Sequence, residues 1–232
     1  MTGTVFKKGL NGNALKIIAL AAMTVDHIGM LFFPYSVVFR IIGRVAMPIF
    51  AFMIAEGCVY TKHKLRYIAL VFGIGAVCVA GYLIAEHRLY LNILITFTFS
   101  IAIIFGLEHA MRTQRVSAYI IPFVAVLGSA FVNFLLPKIL RDDSVSVDYG
   151  FFGTVLPVLI YLVKDFRLKL AATAIGLTLI AFYMGGLQWW GYLALVFMLF
   201  YDGTRGELNL KYLFYVYYPL HFVANYGIYL LF

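Results

Sequence analysis

The feature that most constrains this sequence is a near-continuous succession of apolar runs, each long enough, or almost long enough, to cross the hydrocarbon core of a bilayer. Nine candidate spans can be read, roughly 14–33, 36–58, 67–85, 90–110, 117–137, 150–163, 170–185, 187–201 and 212–232. Of the 232 residues, 64% are apolar and 12% are charged. A soluble domain of this size is about half apolar and about a quarter charged, so the excess cannot be buried in one aqueous core. The spacing therefore predicts an all-α polytopic membrane protein, residues 1–232 forming a single transmembrane domain, one bundle of about nine helices. The sixth to eighth runs are short, and are accommodated by tilt, snorkelling or burial, or by one of them being re-entrant. A separate soluble catalytic domain is excluded. Cys58 and Cys78 both fall inside apolar runs, which excludes a disulfide framework and a CxxC metal signal.

Lys7 and Lys8 before the first run resemble the start of a signal peptide, but the run is too long and lacks a small-residue cleavage site, so it reads as retained. The formal net charge of +8 would suggest nucleic acid in a soluble chain; here it is tested first against orientation. With the N-terminus inside, the inner set is Lys7, Lys8, Lys16, Lys62, Lys64, Arg66, Arg112, Arg115, Lys164, Arg167, Lys169, Arg205 and Lys211. The outer set is Arg88, Lys138 and Arg141. That bias predicts a cytoplasmic N-terminus and an outer C-terminus, and accounts for most of the charge without nucleic acid. The longest outer loop, Lys138 to Tyr149, carries Asp142, Asp143 and Asp148 and is the one outer polar stretch large enough to receive a partner.

Ionisable residues inside spans are costly, and tend to face a bundle interior or a water-filled path. The first run, "ALKIIALAAMTVDHIGMLFFP", holds Asp26 and His27; the second, "FRIIGRVAMPIFAFMIAEG", holds Arg40 and Arg44 one turn apart, and Glu56 near its inner end. Eleven residues separate Lys16 from His27, close to three turns, so the two share a helix face about 16 Å apart. Counting from the outer ends puts Arg44 and His27 at a common depth. The last run contains "YVYYPLHFVANYG", in which Tyr217, His221 and Asn225 recur every fourth residue around Pro219.

Histidine suits proton transfer because its reference pKa lies near neutrality. Adjacent positions diverge by about 100° on a helix, so Asp26 either approaches His27 or pairs with Arg40 or Arg44. The structural alternative is that Asp26, Arg44 and Glu56 form a buried ionic network that fixes packing. His63, His87 and His109 fall at span ends, where solvation explains them. HExxH, GxSxG and phosphate-loop patterns do not occur. "GIGAVCVAG" around Gly73 reads as close helix packing rather than a glycine-rich loop. The carboxylates are dispersed, so no metal site is expected.

"MTVDHIGMLFFP" followed by "FRIIGRVAMPIFAFMIAEG" resembles the TraX family of integral membrane proteins. "LNILITF" at Leu91 to Phe97, "DYGFFG" at Asp148 to Gly153 and "YYPLHF" at Tyr217 to Phe222 are similar to later blocks of that family in the same order. The resemblance implies acetylation of the N-terminal amine of conjugative pilin subunits, or of another cell-envelope acceptor. More distantly, the first helix resembles membrane acyltransferase family 3, in which a basic residue precedes a histidine with ten residues between, as Lys16 and His27 do here. The paired arginines of that family are matched by Arg40 and Arg44 with a spacing that departs by one residue.

These resemblances imply a bacterial inner-membrane acetyltransferase using acetyl-CoA as co-substrate, without a metal. Lys16, Arg40, Lys62, Lys64 and Arg66 would attract the donor's phosphates, and the pantetheine arm would carry the thioester to His27. The implied catalytic set is His27 as general base with Asp26, Arg44, Tyr218 and His221, Arg44 or Tyr218 stabilising the oxyanion. Asn92, Asp148, Tyr149 and Glu56 would meet the acceptor, a pilin amine or a cell-surface glycan hydroxyl. Direct transfer and an acetyl-histidine intermediate both fit these residues. The alternative class is a small transporter or proton-coupled exporter in which Asp26, His27, Arg44 and His221 line a relay, although no two-half repeat accompanies them. A scaffold for pilus assembly would need no charges at depth.

Overall fold

The computed structural model describes residues 9–141, 145–208 and 210–229. Lys7, Lys8, Asp142 and Asp143 lie outside the described residues. The chain is mostly helical and its contacts divide it into two compact units, residues 1–53 with 163–232, and residues 54–162.

The first unit contains α1 (Gly12–Phe32), α2 (Val37–Gly43) and the start of α3 (Ala46–Tyr60). Asn11 caps α1, its side chain accepting from the Ala14 amide at 2.9 Å. The helix stops at Phe33, immediately before Pro34, whose ring disfavours helical backbone in the preceding residue. α1 and α2 then pack at very short range. A Cβ on Gly29 would lie 2.1 Å from Phe39 Cβ, and one on Gly43 would lie 2.3 Å from Asp26 Cβ. No other residue fits at either crossing point.

The second apolar run, expected as one helix over 36–58, forms a span, Val37–Tyr60, that is interrupted between α2 and α3. Pro48 supplies the reason. It has no amide to donate to the carbonyl four residues back, that of Arg44, and its ring crowds it, so the helix stops at Arg44 and restarts at Ala46 with Pro48 in its first turn.

The rest of this unit comprises the helices here called α9 (Phe166–Met184), α10 (Leu193–Leu199) and α11 (Lys211–Tyr229), with a 3₁₀ segment Gly186–Tyr192 before α10. The eighth run is thus a composite of two helix types. Because a 3₁₀ segment rises about 2.0 Å per residue against 1.5 Å in an α-helix, it reaches further than its residue count suggests. Phe52, Phe166 and Tyr201 form the aromatic centre, all nearly inaccessible.

The second unit contains α4 (Lys64–Glu86), α5 (Ile93–Thr113), α6 (Ile120–Ala130), α7 (Leu136–Leu140) and α8 (Gly150–Leu162), with a single π turn Phe131–Leu135 between α6 and α7. Two short strands, β1 (Tyr90–Leu91) and β2 (Ser146–Val147), pair in parallel. Hydroxyls stitch its helices where the side chains are fully buried: Ser100 Oγ donates to the Thr154 carbonyl at 2.8 Å and Ser129 Oγ to Thr154 Oγ1 at 3.0 Å. Of the glycines in "GIGAVCVAG", Gly75 does sit against Leu94 and Ile95, whereas a side chain on Gly73 or Gly81 would meet nothing.

Among the described residues, six helical segments are long and apolar enough to span: Gly12–Phe32, Val37–Tyr60, Lys64–Glu86, Ile93–Thr113, Val116–Leu140 and Phe166–Met184. Gly150–Leu162 and Gly186–Leu199 are apolar but shorter. Large apolar side chains are exposed along these helices, Ile84, Phe123, Leu168 and Phe182 among them, as a lipid-facing surface requires.

Candidate active site

The site is built in the first unit from two helices that run in the same direction. Thr24 Oγ1 and the Tyr217 hydroxyl share a hydrogen bond of 2.6 Å. One turn further along both helices, the rings of His27 and His221 meet edge to face, centroids 4.9 Å apart and planes inclined at 72°. Both contacts advance with residue number in α1 and in α11, which fixes the parallel arrangement.

Each imidazole is oriented by its own helix. His27 Nδ1 lies 2.8 Å from the Met23 carbonyl and His221 Nδ1 lies 3.2 Å from the Tyr217 carbonyl. A carbonyl oxygen can only accept, so both Nδ1 atoms carry the proton, and in the neutral ring Nε2 carries the lone pair. Tyr217 stacks on His221 at 5.7 Å with planes 8° apart, and Tyr218 meets it edge-on at 5.6 Å. Tyr218, His221 and Asn225 are buried on one stripe of α11, while Val216, Leu220 and Val223 on the other faces are exposed. In lipid, a helix with its polar side turned inward keeps those groups away from the acyl chains.

Asp26 is held by two arginines in a clamp. Arg40 Nη1 lies 3.0 Å from Asp26 Oδ1, and Arg44 Nη2 lies 3.3 and 3.1 Å from Oδ1 and Oδ2. Arg44 also donates from Nε to the Arg40 carbonyl at 3.2 Å. The interruption after Gly43 is what brings Arg44 to this position, and the absent side chain at Gly43 is what admits Asp26. One carboxylate between two guanidiniums leaves the clamp with a formal charge of +1, within electrostatic range of His27. Lys16 lies on α1 eleven residues before His27, about 16 Å along the axis.

The other residues singled out from the sequence belong to the second unit. Asn92 caps α5, accepting from the Leu94 amide at 3.0 Å and donating to the Gly75 carbonyl at 2.8 Å. The Asp148 carbonyl accepts from Thr96 Oγ1 at 2.8 Å. Tyr149 adopts a left-handed backbone with φ of 59°, which side-chain-bearing residues rarely do, and the turn it makes leads into α8. Lys64 pairs with Glu108 at 2.5 Å and lies over the Phe105 ring, Tyr161 donates to the same carboxylate at 3.2 Å, Lys62 and Arg66 are exposed, and Glu56 is buried.

Thr24 and Asn225 were not singled out by their chemistry, although the fourfold spacing of Tyr217, His221 and Asn225 is visible in the sequence. Asn225 Nδ2 is buried and has no hydrogen-bond partner among the described residues. No group of three His, Cys, Asp or Glu side chains capable of holding a metal occurs among the described residues.

Long apolar helices, an ionic clamp at depth and a paired imidazole on a polar stripe define a multi-pass membrane protein with an intramembrane polar site. Residues 11–229 match the TraX protein family model, and the chain belongs to that family. It is also similar to the uncharacterized protein RP591 of Rickettsia prowazekii (strain Madrid E), 48% identical over 54 residues. That match covers 23% of this chain, which spans about a fifth (21%) of the relative's length. No solved structure matches.

Proposed function

We propose that this protein is a membrane acetyltransferase of the bacterial cytoplasmic membrane that carries an acetyl group from acetyl-CoA to an extracytoplasmic acceptor, a pilin N-terminal amine or an envelope glycan hydroxyl. The observation that carries the reading is the His27–His221 pair, two imidazoles that meet edge to face in the seam between α1 and α11, each with Nδ1 turned to a carbonyl of its own helix. Membership of a family linked to pilin acetylation supports it.

His27 Nε2 takes the proton from the acceptor as its nitrogen or oxygen attacks the thioester carbonyl. The carbonyl oxygen becomes the oxyanion of a tetrahedral intermediate, and its negative charge develops within the field of the Asp26–Arg40–Arg44 clamp, with the Tyr218 hydroxyl as the alternative donor to it. When the intermediate collapses, the carbon–sulfur bond breaks and the proton held on His27 passes to the departing thiolate. The acetylated acceptor and coenzyme A leave, and the imidazole returns to its starting state. Lys16 attracts the nucleotide end of the donor on the cytoplasmic side, with His27 deeper on the same helix face.

A test uses proteoliposomes of the full chain supplied with acetyl-labelled acetyl-CoA and pilin peptide or envelope extract. Label attached to the acceptor by the wild type, and lost in His27→Ala with unchanged thermal stability, is the expected result. The same imidazole pair would also serve a proton-coupled exporter, for which label would cross the bilayer without becoming attached.

A further inference from the structure

At one end of the second unit the helix termini carry a band of cations. Lys62 and His63 precede α4, Lys64 and Arg66 lie in its first turn, Arg112 lies in the last turn of α5, and Arg115 precedes the 3₁₀ segment Val116–Tyr119 that leads into α6. The two helix ends are tied at one level. Lys64 Nζ meets Glu108 Oε1 at 2.5 Å and lies over the Phe105 ring, which Tyr67 approaches at 6.4 Å.

The carboxylates of this unit do not neutralise the band. Glu108 is held by Lys64 and by the Tyr161 hydroxyl at 3.2 Å, and Glu56 is buried in α3. Glu86 and Asp148 belong to the opposite end of the helices, and Asp142 and Asp143 lie outside the described residues. Among the described residues no carboxylate pairs with Lys62, Arg66, Arg112 or Arg115, and all four are exposed. The exposed imidazoles of His63 and His109 stand on the same rim.

Two observations select the partner. The cations diverge: Arg112 follows Glu108 by four residues and shares its face of α5, whereas Arg66, two residues after Lys64, is turned about 200° from it around α4. A single phosphate is gripped by groups that converge, while a plane of headgroups is met by groups spread round a rim. The neighbouring side chains are also apolar and uncovered. Leu65, between Lys64 and Arg66, is 84% exposed, and Val116, next to Arg115, is 89% exposed. The lipid-facing surface continues from them along the helices through Phe72 and Ile120, both exposed. Charge at the rim with apolar surface directly beyond it matches the order of a phospholipid, headgroup and then chain.

We infer that Lys62, Arg66, Arg112 and Arg115 form a binding band for anionic phospholipid headgroups, which seats this end of the second unit at the membrane surface. This role needs no group transfer and stands apart from the acetyltransferase reading.

The test is native mass spectrometry of the full chain, delipidated in detergent and titrated with phosphatidylglycerol or with phosphatidylcholine of the same acyl chains. At about fivefold per cation, two engaged cations should favour phosphatidylglycerol by about 25-fold or more. Arg66→Gln/Arg112→Gln should reduce that preference by about fivefold or more, and Arg66→Lys/Arg112→Lys should keep it. Arg88→Gln/Lys138→Gln, which removes the same charge from the opposite end of the unit, should leave it unchanged. Thermal melts monitor folding, and Lys62→Gln/Arg115→Gln takes the place of the first pair if that pair melts early. The competing occupant is a soluble phosphate, so adenosine 3′,5′-bisphosphate is added as competitor and should not displace the lipid. Equal affinity for the two lipids, a preference indifferent to both glutamine pairs of the band, an equal loss in Arg88→Gln/Lys138→Gln, or displacement by the bisphosphate overturns the band.

Discussion

His27 and His221 face one another edge to face at 4.9 Å, and from one turn away the Thr24–Tyr217 hydrogen bond of 2.6 Å holds the two helices that carry them in register. The two contacts are successive rungs between α1 and α11. The lower one is a hydroxyl pair that ties the two helices together one turn before the rings.

If the rings act as a unit, their substitutions will not add. His27→Ala and His221→Ala should each reduce coenzyme A release in proteoliposomes by about 10²–10⁴-fold, the range for a positioned general base. The double variant should be no worse than the more severe single one, because groups that share one step are lost together. Additive losses would mean that the rings serve separate steps.

Removing the lower rung tests positioning apart from chemistry. Thr24→Val and Tyr217→Phe each delete one partner of an intramembrane hydrogen bond, worth about 0.6–1.7 kcal/mol. A small drop in melting temperature should accompany a fall in kcat larger than the change in KM for acetyl-CoA. Loss of stability with kcat unchanged would assign the pair to packing alone.

Within the clamp, Asp26 and Arg44 form a buried ion pair whose value lies in not being broken. Asp26→Asn leaves Arg44, whose side chain is 9% exposed, without its carboxylate. The expected cost is about 3–5 kcal/mol, seen as a lower unfolding midpoint in detergent. Arg40 is 32% exposed, so Arg40→Gln should cost far less. The double variant Asp26→Leu/Arg44→Met, which removes both charges, should recover most of the stability lost by Asp26→Asn while lowering activity.

Much of this was legible in the sequence, because lipid imposes few rules and imposes them strictly. Runs of apolar residues located the helices to within a few positions, and the same penalty on buried charge singled out Asp26, His27, Arg40 and Arg44. Adjacency of Asp26 and His27 left the carboxylate's partner open; it goes to the arginines, since Gly43 opens a place for it on α2. The interruption at Arg44 was foreshadowed by Pro48 but masked by an unbroken apolar run. Less visible were relations between distant parts of the chain. Thr24 meets Tyr217 across 193 residues, and Arg205 reaches the first turn of α1 through backbone bonds that any side chain would permit. No periodicity within one helix encodes such pairings.

Two kinds of membrane-helix glycine should respond oppositely to alanine. At Gly29 and Gly43 the new methyl would overlap Phe39 and Asp26, so each alanine should destabilise by about 1–3 kcal/mol. Gly43→Ala should also lower activity by displacing the clamp. At Gly73 and Gly81, where the methyl meets nothing, alanine should be neutral or should stabilise α4 by up to about 1 kcal/mol. Melting curves of the four variants are sufficient to separate the classes.

Asn225 offers the sharpest separation of stability from function. Its Nδ2 is buried without a partner among the described residues, on the same polar stripe as Tyr218 and His221. Burying an amide donor without an acceptor costs about 1–3 kcal/mol, and an apolar residue of similar size removes that cost. Asn225→Leu should therefore melt at or above the wild-type temperature. A residue kept for packing would gain stability and lose nothing, whereas an amide that meets a bound group would lose activity in the same variant. Asn225→Asp keeps the shape but removes the donor, and should melt lower, since an ionised carboxylate without a partner is costly at depth. A leucine variant less stable than the wild type would show that the amide is held by a contact within the fold.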